Sequence, residues 1–408
     1  MTDLPFGFQP SNPGDDPREW AAKAPLFAEL AKLMSWQGGP VNWDLARQLA
    51  ISQIGDADPT VTGADNDTVA EALRLADLWL DEHTSLPSGT KTTAAWTRVQ
   101  WVEQTIGVWQ RLCDPVAAKV VETMGTTLPD EVKAQAGPLL PVLNQAGGLM
   151  FGAQIGEALG ALAADVVGST DIGLPLGPAG EAALLPANLT AFGEGLERPA
   201  EEVRLYLALR ETAHHRLFGH IPWLRGHLLA AVDAYAKGIT VDREAIERAM
   251  ADLDPTDPES MQKALAGGMF EPQNTEAQQQ ALTRLETALA LVEGWVDTVV
   301  TDAAGTRLEG AAALGETLRR RRATGGPAEQ TFATLVGLEL RPRRLREAAA
   351  LWRAVTERHG ASGRDRLWSH PDLLPGADDF DDPAGFAERA GEDEDPPALP
   401  ESPDSPES

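Results

Sequence analysis

Leu207-Ala-Leu-Arg-Glu-Thr-Ala-His-His-Arg-Leu-Phe-Gly-His-Ile-Pro-Trp-Leu-Arg-Gly-His227 places four of the chain's seven histidines within fourteen residues. Its Leu, Ala, Arg and Glu are good helix formers, and Gly219 and Pro222 mark a break. We expect one helix over 199–216 and another over 221–237. On the first, Arg210 and His214 are four apart and share a face, with Glu211 at its edge. His215 lies about 100° round the helix from His214. His220 falls beyond the expected helix end, from where it could fold back.

Working outward, most of 19–375 repeats apolar residues at three- and four-residue spacing, broken by Pro and Gly. Further helices are expected at 19–35, 43–54, 66–82, 90–110, 114–124, 129–135, 140–167, 242–251, 258–265, 275–304, 307–320, 328–335, 341–358 and 362–368. The best strand signal is 181–191, an edge strand because it contains Pro186. The fold class is therefore mostly α, multi-helical, with a minor β element. In 140–167, Gly148, Gly152, Gly156 and Gly160 fall four apart on one face. Each glycine costs about 1 kcal/mol against alanine in a helix. The return expected is close approach of another backbone. Gln154, Glu157 and Asp165 interrupt the apolar run, which argues against a membrane span.

The net charge is −28 over 408 residues, which argues against a nucleic-acid partner and against anionic lipid. Cys113 is the single cysteine, so no intramolecular disulfide or Cys-rich zinc module can form. The N-terminal residues lack the basic-then-apolar layout of a signal peptide, and a cytoplasmic protein is expected. From Asp378 to Ser408 there are twelve acidic residues and one basic one. So polar a segment cannot offset its ordering entropy and is expected to be a disordered acidic tail. The divisions expected are a flexible 1–18, an N-terminal helical region 19–85, a main domain 86–376 and the tail 377–408. The basic runs at 319–322 and 341–346 read as solvated helix faces. No P-loop, G-x-G-x-x-G or G-x-S-x-G occurs.

The chemistry concentrates at Arg210-Glu-Thr-Ala-His214. In an H-E-x-x-H metallohydrolase, the two histidines at these positions hold zinc and the glutamate activates a bound water. Here the first position is arginine. A guanidinium has no lone pair and stays protonated, so it cannot ligate a metal. Half of a ferritin-like di-iron site is discarded, because no other histidine has a glutamate three positions before it.

Several stretches in order carry a family resemblance. They are Trp96-Thr-Arg-Val-Gln-Trp-Val-Glu103 with Leu112-Cys-Asp-Pro115, the glycine helix Met150-Phe-Gly-Ala-Gln-Ile-Gly156, and Leu184-Leu-Pro-Ala-Asn-Leu189 leading into the Arg-Glu-Thr-Ala-His string. Glu293-Gly-Trp-Val-Asp297 follows, then Gly337-Leu-Glu-Leu-Arg through Leu367-Trp-Ser-His-Pro. Over roughly 90–376 the chain resembles the actinobacterial zincin-like family labelled as hydrolases or zinc-dependent metalloproteases. The resemblance implies zinc, with His214 and Glu293 as ligands, Glu211 as general base and Asp297 as an acidic neighbour one turn on. It puts the first ligand at Arg210. Two readings follow. In the first, Arg210 takes the metal's place, and the chain is a weakened or non-catalytic scaffold or regulator acting on a protein or peptide. In the second, it remains a zinc peptidase or amidase in which His215 or, past the helix end, His220 supplies the missing ligand. A peptide could add to the strand near 181–191.

Overall fold

The computed structural model describes residues 39–56, 58–127, 140–238, 240–241, 272–273, 275–323 and 344–390. The expected helices at 19–35, 129–135, 242–251, 258–265 and 328–335 lie outside the described residues, as do the flexible 1–18 and the tail from 391 onward.

The described chain is mostly helical, as its periodicity predicts. Helix α1 (Trp43–Ile54) starts at Asn42, whose side chain accepts a bond from the Leu45 N–H. Helix α2 (Gly63–Leu80) starts in a capping box between Thr62 and Asp65. Strand β1 (Thr92–Ala95) follows, where a helix over 90–110 was expected. The helical pattern proper starts only after it, in α3 (Arg98–Thr127). That helix runs through Pro115, where the sequence suggested a break. Pro115 removes one backbone donor at a cost of about 3 kcal/mol. Helices α1 and α4 (Leu140–Asp165) pack against α3.

The glycine row on α4 receives α1. A Cβ on Gly152 would come within 2.6 Å of the Asn42 carbonyl oxygen, and one on Gly156 within 2.7 Å of the Ala46 carbonyl oxygen. The Asn42 N–H donates to the Gly148 carbonyl at 2.9 Å. Close backbone approach is thus what the four-residue glycine spacing provides. Among the described residues no helix is long and apolar enough to cross a membrane.

Strand β2 (Glu181–Leu184) is shorter than the 181–191 stretch that suggested it. Pro186 does not sit in the strand; it occupies the first turn of α5 (Pro186–Gly193), where its missing N–H has no ladder to break. β2 pairs parallel with β1, Thr92 opposite Glu181 and Ala95 opposite Leu184. On its other edge Leu184 bridges to Gly168. The Ser169 N–H donates to the Ala183 carbonyl at 3.1 Å. Both edges of β2 are therefore taken, which closes the strand-addition site anticipated there.

Two long helices cross the centre. α6 (Ala200–His220) continues past Gly219 instead of ending at 216, and is buried from Leu205 through Leu217. α7 (Leu224–Lys237) follows, then a short antiparallel pair, β3 (Thr240–Val241) with β4 (Pro272–Gln273). α8 (Glu276–Ala304) opens with a Thr275–Gln278 capping box and is buried from Ala290 through Val300. α9 (Ala311–Ala323) and α10 (Leu345–Arg366) pack against it, and Trp295 on α8, Trp352 on α10 and Trp368 just after α10 are fully buried. Residues 377–390, expected to begin the disordered tail, are folded: Asp378–Asp381 form a 3-10 turn and Pro383–Arg389 form α11. Phe380 and Phe386 supply the apolar area that this acidic stretch needs, and Arg344 stacks on Phe380.

Candidate functional site

α6 and α8 cross so that Arg210 and His214 face Glu293. The Arg210 Nη2 donates to Glu293 Oε2 at 2.5 Å, and His214 Nε2 lies 2.9 Å from Glu293 Oε1. Arg210 and Glu293 side chains are 7% and 6% exposed, and His214 is 1% exposed. Burial disfavours the Arg210 charge, but Glu293, the Tyr206 phenol and the carboxylates of Asp297 and Asp171 outweigh it and raise its pKa.

His214 is held at both ring nitrogens. Its Nδ1 is 2.8 Å from the Arg210 carbonyl oxygen, which can only accept. Nδ1 therefore carries a hydrogen. Nε2 faces a carboxylate oxygen of Glu293. Where a divalent metal would bring positive charge, the chain sets the Arg210 guanidinium.

Glu211 points into a different set of donors. Its carboxylate accepts from the N–H and hydroxyl of Ser169, from the N–H (3.2 Å) and hydroxyl (2.7 Å) of Thr170, and from the Ala183 N–H (3.3 Å). His215 Nε2 is 3.3 Å away. Burial alone would raise the Glu211 pKa. The bonds from His215, Ser169 and Thr170 outweigh it and hold the carboxyl at about 2. Glu211 thus fastens α6 to β2 and to the loop after α4. The loop is tight against both carboxylates: a Cβ on Gly168 would come within 2.5 Å of Glu211, and one on Gly173, at φ 76°, within 2.8 Å of Glu293.

The Ser169, His215 and Glu211 side chains do not form a nucleophile triad. In a triad the serine and the acid use opposite ring nitrogens, whereas here both contact His215 Nε2, and Ser169 is fully buried. His215, about 100° round the helix from His214, is buried as well. The signal that could have found it is its four-residue spacing from Glu211. Ser169 and Thr170 lie in an irregular loop with no periodic signal.

His220 is not brought to the cluster. It is the last residue of α6, exposed, with Nε2 2.9 Å from the Ser88 carbonyl oxygen. It sits six residues after His214 on a continuing helix, so it points round the other side, and no chain reversal turns it back. Asp297 lies one turn beyond Glu293 and is buried, but it accepts from Arg319 Nη1 at 3.1 Å.

The sequence model of a family described as zincin-like metallopeptidase matches residues 41–387. Among solved structures, the chain is similar to one titled as a "putative hydrolase with a novel fold" from Chloroflexus aurantiacus, with a TM-score of 0.60 and 20% identity. The match covers 86% of this chain and 98% of that one. None of the curated proteins matches.

Proposed function

The chain belongs to the zincin-like metallopeptidase family, and from that premise we propose that it uses the fold as a binding protein, with Arg210 standing where a metal would be held. The observation that carries this is the buried Arg210–Glu293 pair at 2.5 Å.

The family implies zinc, and the residues present do not fit it. A zinc site needs three or four protein donors at about 2.0–2.3 Å. His214 Nε2 and Glu293 are the donors that converge here, and the third place holds a permanent cation that would repel the ion. Among the described residues no group of three His, Cys, Asp or Glu side chains is placed to hold a metal. A substitute donor has no support either, since His215 is engaged with Glu211 and His220 with Ser88. Glu211 spends its oxygens on fixed donors, which leaves little room for work as a general base. The reading extends to a cytoplasmic protein whose partner is a protein or peptide.

Metal analysis of protein purified without chelator tests this. We expect no stoichiometric zinc, and no peptide hydrolysis that rises with added zinc. One zinc per chain that disappears in His214→Ala, with hydrolysis that dies in Glu211→Gln, overturns it.

A further inference from the structure

One helical turn from the buried pair, α6, α8, the turn after α8, α9 and α10 line an open cleft of about 480 Å³. That lies within the usual range for small-ligand sites. Tyr206, four residues before Arg210, and Asp297, four after Glu293, line its inner side. Gly315 keeps it open: a Cβ there would come within 3.0 Å of the Tyr206 hydroxyl and 3.4 Å of Arg319. Leu308 adds apolar wall.

Four charged side chains line the cavity, and they divide into two kinds. Asp297 and Arg319 neutralise each other at 3.1 Å. Glu309 and Arg353 do not pair. They are exposed, they face the same space from the turn after α8 and from α10, and neither has an ion pair or hydrogen bond among the described residues. Opposite charges that line one cavity more than ion-pair distance apart leave room for a molecule that bridges them. Tyr206 and Leu308 give the inner part of that cleft a buried, partly apolar wall.

We propose that this cavity binds a small zwitterion, an amino acid or short peptide with a free ammonium and a free carboxylate. Arg353 receives the carboxylate, for which its planar fork is suited. Glu309 receives the ammonium. The Tyr206 and Leu308 surfaces take the carbon skeleton. Binding here requires neither a metal nor Arg210, so it stands or falls apart from the function proposed above.

Isothermal titration of the full chain with Ala-Ala, with alanine, and with Ala-Ala blocked at either end is the test. At least one unblocked probe should bind, and each block should weaken Ala-Ala by tenfold or more if the dipeptide is the one bound. Arg353→Gln should erase the preference for the free carboxylate, and Glu309→Gln the preference for the free ammonium. Both positions are exposed, so neither substitution threatens the fold. Tighter binding of Ala-Ala than of alanine assigns the site to peptides, and the reverse order assigns it to free amino acids. The inference is overturned if both unblocked probes fail at millimolar concentration, or if blocked and free ends bind alike, or if either substitution leaves its preference intact.

Discussion

The Arg210 guanidinium meets Glu293 Oε2 at 2.5 Å while His214 Nε2 lies 2.9 Å from the other oxygen of the same carboxylate. One acid thus joins two neighbouring turns of α6 to α8. A carboxylate this buried would be costly alone, and a cation this buried equally so. Each is kept by the other. The energetic logic is that of an internal ion pair, and it makes the pair sensitive to the loss of either member.

Arg210→His should create the donor set that the chain lacks. It removes the repelling charge and offers a third donor beside His214 and Glu293. We expect zinc affinity at least tenfold above that of the unaltered chain, measured by competition with a chromophoric chelator, because ligand count dominates zinc binding. Equal affinities would mean that the three positions do not converge on one point.

Breaking the pair should cost more than replacing it. Arg210→Met takes from Glu293 its cationic partner, and Glu293→Gln takes from Arg210 the carboxylate that it touches. Each should destabilise the chain by about 3–5 kcal/mol, the usual cost of stranding a buried charge. The double substitution should cost clearly less than the sum of the two, since hydrophobic or neutral replacements of a buried pair are often tolerated. Urea unfolding of the four chains closes the cycle. Additive losses would show that the two side chains do not interact.

The glycines offer a matched comparison. Gly156→Ala puts a Cβ within 2.7 Å of the Ala46 carbonyl oxygen and 2.8 Å of Leu49 Cβ. It should destabilise by about 1–3 kcal/mol, as overpacking does. Gly107→Ala sits on an exposed face of α3 with nothing within 4 Å of the added Cβ, and should stabilise by about 0.5–1 kcal/mol through helix propensity. Opposite shifts in melting temperature are the expected result. Shifts of the same sign would refute the close approach of α1 to α4.

How much of this was readable from residues alone depends on the range of the interaction. α1, α4, α6 and α8 declare themselves by three- and four-residue apolar spacing, and the glycine row declares a close backbone approach without saying which helix makes it. The Arg210–His214 face follows from helix geometry. Strand β1 did not declare itself, since Thr92-Thr-Ala-Ala is too short and too weakly apolar to stand out, and it exists because β2 pairs with it. Pro115 misled because local propensity was overridden by packing. Asp378–Arg389 misled because net charge was weighed above two aromatic side chains that bury. The Glu211 donors were invisible because Ser169, Thr170 and Ala183 come from a loop and a strand edge 28 to 42 residues away. The meeting of Arg210 with Glu293 spans 83 residues, and only the family resemblance pointed to it.

The last prediction concerns acid. Glu211 is fully buried and its folded pKa is lowered from 4.5 to about 2 by His215, Ser169 and Thr170 acting against the cost of burial. In the unfolded chain it titrates near 4.3. The sign is therefore fixed: above about pH 5 its contribution is complete, and it fades as pH falls from there through about 2. A shift of that size corresponds to about 3 kcal/mol at most. Glu211→Gln loses the charge-assisted bonds and turns an amide N–H₂ towards groups that donate. The gap in unfolding free energy between the unaltered chain and Glu211→Gln should thus be widest at neutral pH and should shrink as pH falls from 5 towards 3. Chemical denaturation at a series of pH values measures it. A gap that stays constant over that range, or widens in acid, would mean that Glu211 is not held as a carboxylate, and the fastening of α6 to β2 would need another explanation.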